Sequence, residues 1–123
     1  MQTLHRIVVG IDFSECADRA LICALALARA ACATITLAHV CGPDDDLDDT
    51  RIVEALGRVV ASHQHHQIAV TGVLRSGKPW EKLNNVAVQV GASLIVVGRG
   101  GLGLGSVADH LVRRASRPVL VVA

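Results

Sequence analysis

Residues 93–111 read SLIVVGRGGLGLGSVADHL: an apolar run, five glycines between positions 98 and 105, then Ser106 and a helical pattern. A β-branched run bounded by glycine reads as a buried strand, and the pattern after Ser106 reads as a helix. Glycines at the junction let the backbone come close to something. That something is either a phosphate group at the start of the helix or the chain itself, in a tight turn with nothing bound.

The same strand, turn and helix order recurs along the chain. HRIVVGID (5–12) reads as a strand, and SECADRALICALALARAA (14–31) as a helix opened by Ser14, with Glu15 and Asp18 in its first turn. ATITLAHV (33–40) is the second strand, and 50–66 a helix with Ile52, Val53, Leu56, Val59 and Val60 on one side. QIAVTGVLR (67–75) is the third strand. The next helix, 79–91, has Pro79 near its first position and Gly91 as its closing cap. ASLIVVG (92–98) is the fourth strand, 106–116 the last helix, and RPVLVVA (117–123) the fifth strand.

Strands this apolar, alternating with helices, predict a parallel sheet covered on both faces, with right-handed crossovers. In such sheets ligands bind beyond the carboxyl ends of the strands, where strand order reverses. Asp12, His39, Val40, Arg75 and the glycine loop fall at those ends.

Composition narrows the function. The 123 residues suit one domain, which we expect to span the whole of 1–123. With one Phe, one Trp, no Tyr and a formal charge of +1, the chain lacks both the aromatic platforms and the basic field of a nucleic-acid reader. No signal-peptide pattern and no run of about 20 apolar residues is found, so a cytoplasmic protein without a membrane partner is expected. Cys16, Cys23, Cys32 and Cys41 form no CxxC pair and are expected to be reduced.

Other clusters read as solvated surface. DDDLDDT (44–50) lacks the spacing of a calcium loop. His63, His65 and His66 lack a completing ligand, so no metal site is expected. Arg113, Arg114 and Arg117 suit a helix carboxyl end, Arg75 and Lys78 border the pocket mouth, and Trp80 is expected to pack the third helix against the sheet. No nucleophile and base pair has a hydrolase context, and the loop lacks the GK[ST] ending of a Walker A motif. We therefore expect no enzyme, or at most a weak ATPase.

Five segments, IVVGIDFSE (7–15), ITLAHV (35–40), GKPWEKL (77–83), GASLIVVG (91–98) and LGSVADHLVRRASRPVLVV (104–122), resemble the universal stress protein (UspA-like) family in order and spacing over essentially the whole chain. The resemblance implies a flavodoxin-like (Rossmann-like, adenine nucleotide α-hydrolase-like) doubly wound sheet of five parallel strands in the order 3-2-1-4-5. It implies a homodimer through the last strand, Val119, Leu120, Val121 and Val122. It also implies a stress-response protein with ATP or another adenine nucleotide at the switch point, magnesium entering only with the nucleotide. Ile11, Asp12 and Val40 would then hold the nucleoside, and Gly98, Arg99, Gly101, Gly105 and Ser106 would face the phosphates.

The loop departs from the family's binding signature. That signature is GxxG, nine residues, then G followed by S or T. Here only Leu102, Gly103 and Leu104 separate Gly101 from Gly105, six residues fewer. Three outcomes stay open: a nucleotide clamped with help from Arg99, a smaller nucleotide such as AMP or ADP, or an empty turn in a dimeric interaction module.

Overall fold

A computed structural model describes residues 4–42, 50–64, 67–100 and 105–123. Five strands, β1 (Arg6–Gly10), β2 (Thr34–Cys41), β3 (Val70–Ser76), β4 (Leu94–Gly98) and β5 (Val119–Val122), alternate with four helices, α1 (Glu15–Ala31), α2 (Thr50–His63), α3 (Pro79–Val90) and α4 (Ser106–Arg114). The sheet has the order β3-β2-β1-β4-β5, and every pairing is parallel. This is the doubly wound architecture expected from the sequence.

Alternation along β1 divides the core between the two faces. Ile7 and Val9 join Ile35, Leu37 and Val96 beneath α1 and Leu56 of α2. Val8 points the other way, to Ile95, Val97 and the apolar sides of α3 and α4. Ile7, Val8, Val9, Leu37, Ile95 and Leu111 are fully buried, each contributing about 1.5–3 kcal/mol by leaving water. No polar or charged residue is buried among the described residues, so the core between the layers is aliphatic.

Local signals place the helix ends. Ser14 caps α1, its Oγ accepting from Ala17 N at 3.2 Å. Pro79 opens α3 and Gly91 closes it in the left-handed conformation. Several expected boundaries move: β3 starts at Val70 rather than 67, because Gln67 takes a left-handed turn, α4 ends at Arg114 rather than 116, and β5 starts at Val119 rather than 117. The acidic run 44–49, His65, His66 and Gly101 lie outside the described residues.

Trp80 joins helix to helix. Its ring stacks on His110 of α4, centroids 5.6 Å apart, and Arg114 lies 5.6 Å over the same ring. The basic cluster of α4 is thereby divided, since Arg113 Nε donates to Asp109 at 2.9 Å. That hydrogen bond, with the carboxylate's charge, raises the Arg113 pKa above its ordinary value.

Candidate functional site

β1 is flanked by β2, which follows it in the chain, and by β4, so strand order reverses at its carboxyl end. A cleft of about 360 Å³ opens there. Ile11 and Asp12 enter it from the end of β1, Val40 from β2, Gly98 and Arg99 from the end of β4, and Gly105 and Ser106 from the start of α4. All the residues singled out in the sequence as nucleotide contacts therefore meet, apart from Gly101, which lies outside the described residues.

Asp12 sits in a tight turn into α1. Its Oδ1 accepts from Ser14 N at 3.0 Å and from Ser14 Oγ at 2.5 Å. Both bonds end on one oxygen, so Oδ2 keeps its accepting capacity for a ligand hydroxyl. Ile11 is pinned to β2: its N–H donates to Ala38 O at 2.9 Å, and its carbonyl lies 2.7 Å from His39 Nδ1. An imidazole nitrogen beside a carbonyl donates, so His39 ties β2 to the end of β1, and it is not among the described residues that line the cleft. The Phe13 ring packs on His39 at 4.9 Å, with Phe13 itself held at φ 65°.

The glycines separate by role. At Gly98 a Cβ would lie 2.8 Å from the carbonyl carbon, the oxygen and the Cβ of Cys16. This glycine lets the first turn of α1 press on the end of β4, a need of packing that exists without any ligand. Gly100 has φ 88°, and a Cβ there would meet Gly105 Cα at 3.0 Å. The Gly105 N–H donates to Arg99 O at 2.7 Å, and the Arg99 N–H donates to Val122 O at 2.8 Å. The loop thus leaves and returns through a neck closed by its own backbone.

Gly105 is the N-cap of α4 and offers no side-chain cap. The first amides of a helix have no partner within it. Those of Ser106, Val107 and Ala108 belong to residues that line the cleft. They form the positive end of the α4 dipole, an arrangement suited to an anion. The first turn of α1 also borders the cleft, but there Ser14 satisfies Ala17 N. The start of α3 also lacks a side-chain cap, but its lining residue there, Pro79, has no N–H to offer, so the free amides that face the cleft are those of α4.

Sequence reading did not place Ser14, Cys16, Pro79, Leu83, Val97, Val107 or Ala108 at the site, yet all line the cleft. One signal was available: Asp12 is followed at once by the start of α1, which forces that helix's first turn to the same strand ends. Cys16 Sγ accepts from Arg19 at 3.2 Å and lies 3.6 Å from Gly100 O. All four cysteines are free. Among the described residues no cluster of three or more His, Cys, Asp or Glu is arranged for a metal, and no helix is long and apolar enough to cross a membrane.

The geometry agrees with comparisons to known proteins. A model of the universal stress protein family matches residues 3–123. The universal stress protein in QAH/OAS sulfhydrylase 3'region of Thermus aquaticus is 34% identical over 132 residues, covering 94% of this chain and 96% of the relative. A universal stress protein solved in complex with cAMP aligns over 99% of both chains, at 26% identity and a TM-score of 0.84. The universal stress protein from Archaeoglobus fulgidus in complex with dAMP aligns over 100% of both, at 25% identity and a TM-score of 0.80. With the matched model spanning the whole doubly wound sheet and the cleft at its switch point, the chain belongs to the universal stress protein family.

Proposed function

We propose that the protein is a stress-response domain that binds an adenine nucleotide, ATP or a smaller relative, and acts through the bound state rather than by turning the nucleotide over. The observation that carries this reading is the uncapped start of α4, which faces the same cleft as Asp12 and Val40. A carboxylate suits ribose hydroxyls, an apolar floor of Ile11, Ala38 and Val97 suits a base, and helix amides suit a phosphate. The cAMP and dAMP complexes of the two solved relatives support adenine as the base.

The residues of the cleft fit such a ligand. Magnesium would arrive as the nucleotide's own counter-ion, since no cluster of ligands holds one among the described residues. A hydrolytic role finds no support in Asp12, whose Oδ1 is engaged by Ser14. A change in the loop or in the dimer on binding would be the signal.

We also propose pairing of two copies through β5. This strand is one edge of the sheet, and its four residues are all half-buried Val or Leu. The other edge, β3, carries Thr71, Arg75 and Ser76. An apolar edge with open backbone groups is stabilised by a matching strand.

Calorimetric titration with adenine nucleotides, beside thermal melting, tests the binding. A ligand at 100 times its Kd stabilises the native state by about 2.7 kcal/mol. The absence of both heat and a melting shift at millimolar nucleotide would leave the interaction-module reading in place of this one.

A further inference from the structure

We infer that the cleft is built for a single phosphoryl group, so that a nucleoside monophosphate is its preferred ligand and the triphosphate binds more weakly. The inference rests on the nucleotide reading of the same cleft and adds to it the number of phosphates.

Charge is the first reason. Among the described lining residues Arg99 is the sole cation, set against the carboxylate of Asp12. Residues 101–104 are Gly-Leu-Gly-Leu and add no charge. The start of α4 contributes about half an elementary charge. One phosphoryl group carries about −1.5 to −2 at neutral pH, about as much as Arg99 and the helix end offset together before the Asp12 carboxylate is counted. Each further phosphoryl group brings more ionised oxygens, and the cations that the sequence puts at the mouth, Arg75 and Lys78, are not among the described residues that line the cleft. The other arginines nearby are engaged: Arg19 by Cys16 Sγ and Ala123 O, Arg113 by Asp109, and Arg114 by the Trp80 ring.

Donor supply is the second. The amides of Ser106, Val107 and Ala108 suit the terminal oxygens of one phosphoryl group. Among the described lining residues, donors beyond α4 would have to come from α3, whose first residue Pro79 has no N–H, or from the side of β4. There the Gly105 N–H is spent on Arg99 O and the Arg99 N–H on Val122 O. The neck between them is narrow enough that a Cβ on Gly100 would reach Gly105 Cα at 3.0 Å. At about 360 Å³ the cleft also stands near the lower end of ordinary ligand sites.

The test is calorimetric titration of the intact protein with adenosine, AMP, ADP and ATP at fixed ionic strength, first without and then with magnesium. AMP is expected to bind at least about tenfold more tightly than adenosine and than ATP, with ADP between. Arg99→Ala is expected to narrow the gap between AMP and adenosine, its fold being checked by melting. ATP binding as tightly as AMP in either condition overturns the single-phosphate inference and leaves the nucleotide reading standing. AMP binding no more tightly than adenosine overturns it as well. No binding by any of the four overturns the nucleotide reading itself.

Discussion

Gly98→Ala isolates what the end of β4 requires. The added Cβ would lie 2.8 Å from three atoms of Cys16, two of them backbone. Ordinary contact begins at 3.4 Å, so the first turn of α1 must retreat by roughly half an ångström against van der Waals repulsion. That turn is not free to move, being tied by Ser14 to Asp12 and Ala17. Overpacking costs about 1–3 kcal/mol, and a backbone neighbour puts this site at about 3 kcal/mol. In a domain of this size that lowers Tm by about 8–15 °C. Gly57→Ala is the control. It makes the same chemical change inside α2, where nothing lies within 4 Å, and is expected to stabilise by about 1 kcal/mol through helix propensity alone. Differential scanning calorimetry and urea unfolding read both. A Gly98→Ala protein that melts within two or three degrees of the parent, about 1 kcal/mol or less, would refute the packing argument and leave close approach of a ligand as the reason for the glycine.

Ser14→Ala removes the α1 cap and one of the two bonds to Asp12; urea unfolding should show a loss of about 1–2 kcal/mol. Gly100→Ala forces a Cβ into the left-handed region and against Gly105, so a loss of about 1–3 kcal/mol is expected by the same measurement, and weaker AMP binding with it. Val121→Lys places a charge on the β5 edge; sedimentation velocity should then find the monomer where the parent is a dimer, and an unchanged dimer would remove β5 as the interface.

Features carried by neighbours in sequence were legible in advance. The Ser14 cap, Pro79 at the start of α3 and Gly91 at its end each need only one turn of chain, and the apolar strands declare themselves by composition. The cleft was legible in its strand-end members, Asp12, Val40 and Gly98, because doubly wound topology puts them together. What stayed hidden depends on contacts distant in sequence. Gly98 as the seat of Cys16, His39 as a tie to Ile11 and the stacking of Trp80 on His110 each join residues from different elements. The start of β3 was misplaced because an apolar pattern does not reveal that Gln67 turns left-handed.

The neck at Arg99 and Gly105 has a consequence for how such a chain diverges. Because the backbone closes on itself before the inner loop begins, residues can be inserted there or lost without shifting the register of β4 or the start of α4. By loop-closure entropy each doubling of the length between them costs only about 0.6 kcal/mol, little beside the burial that holds the sheet. Length between these two anchors is therefore a nearly free variable, through which one scaffold can change the ligand it accepts while its folding problem stays the same.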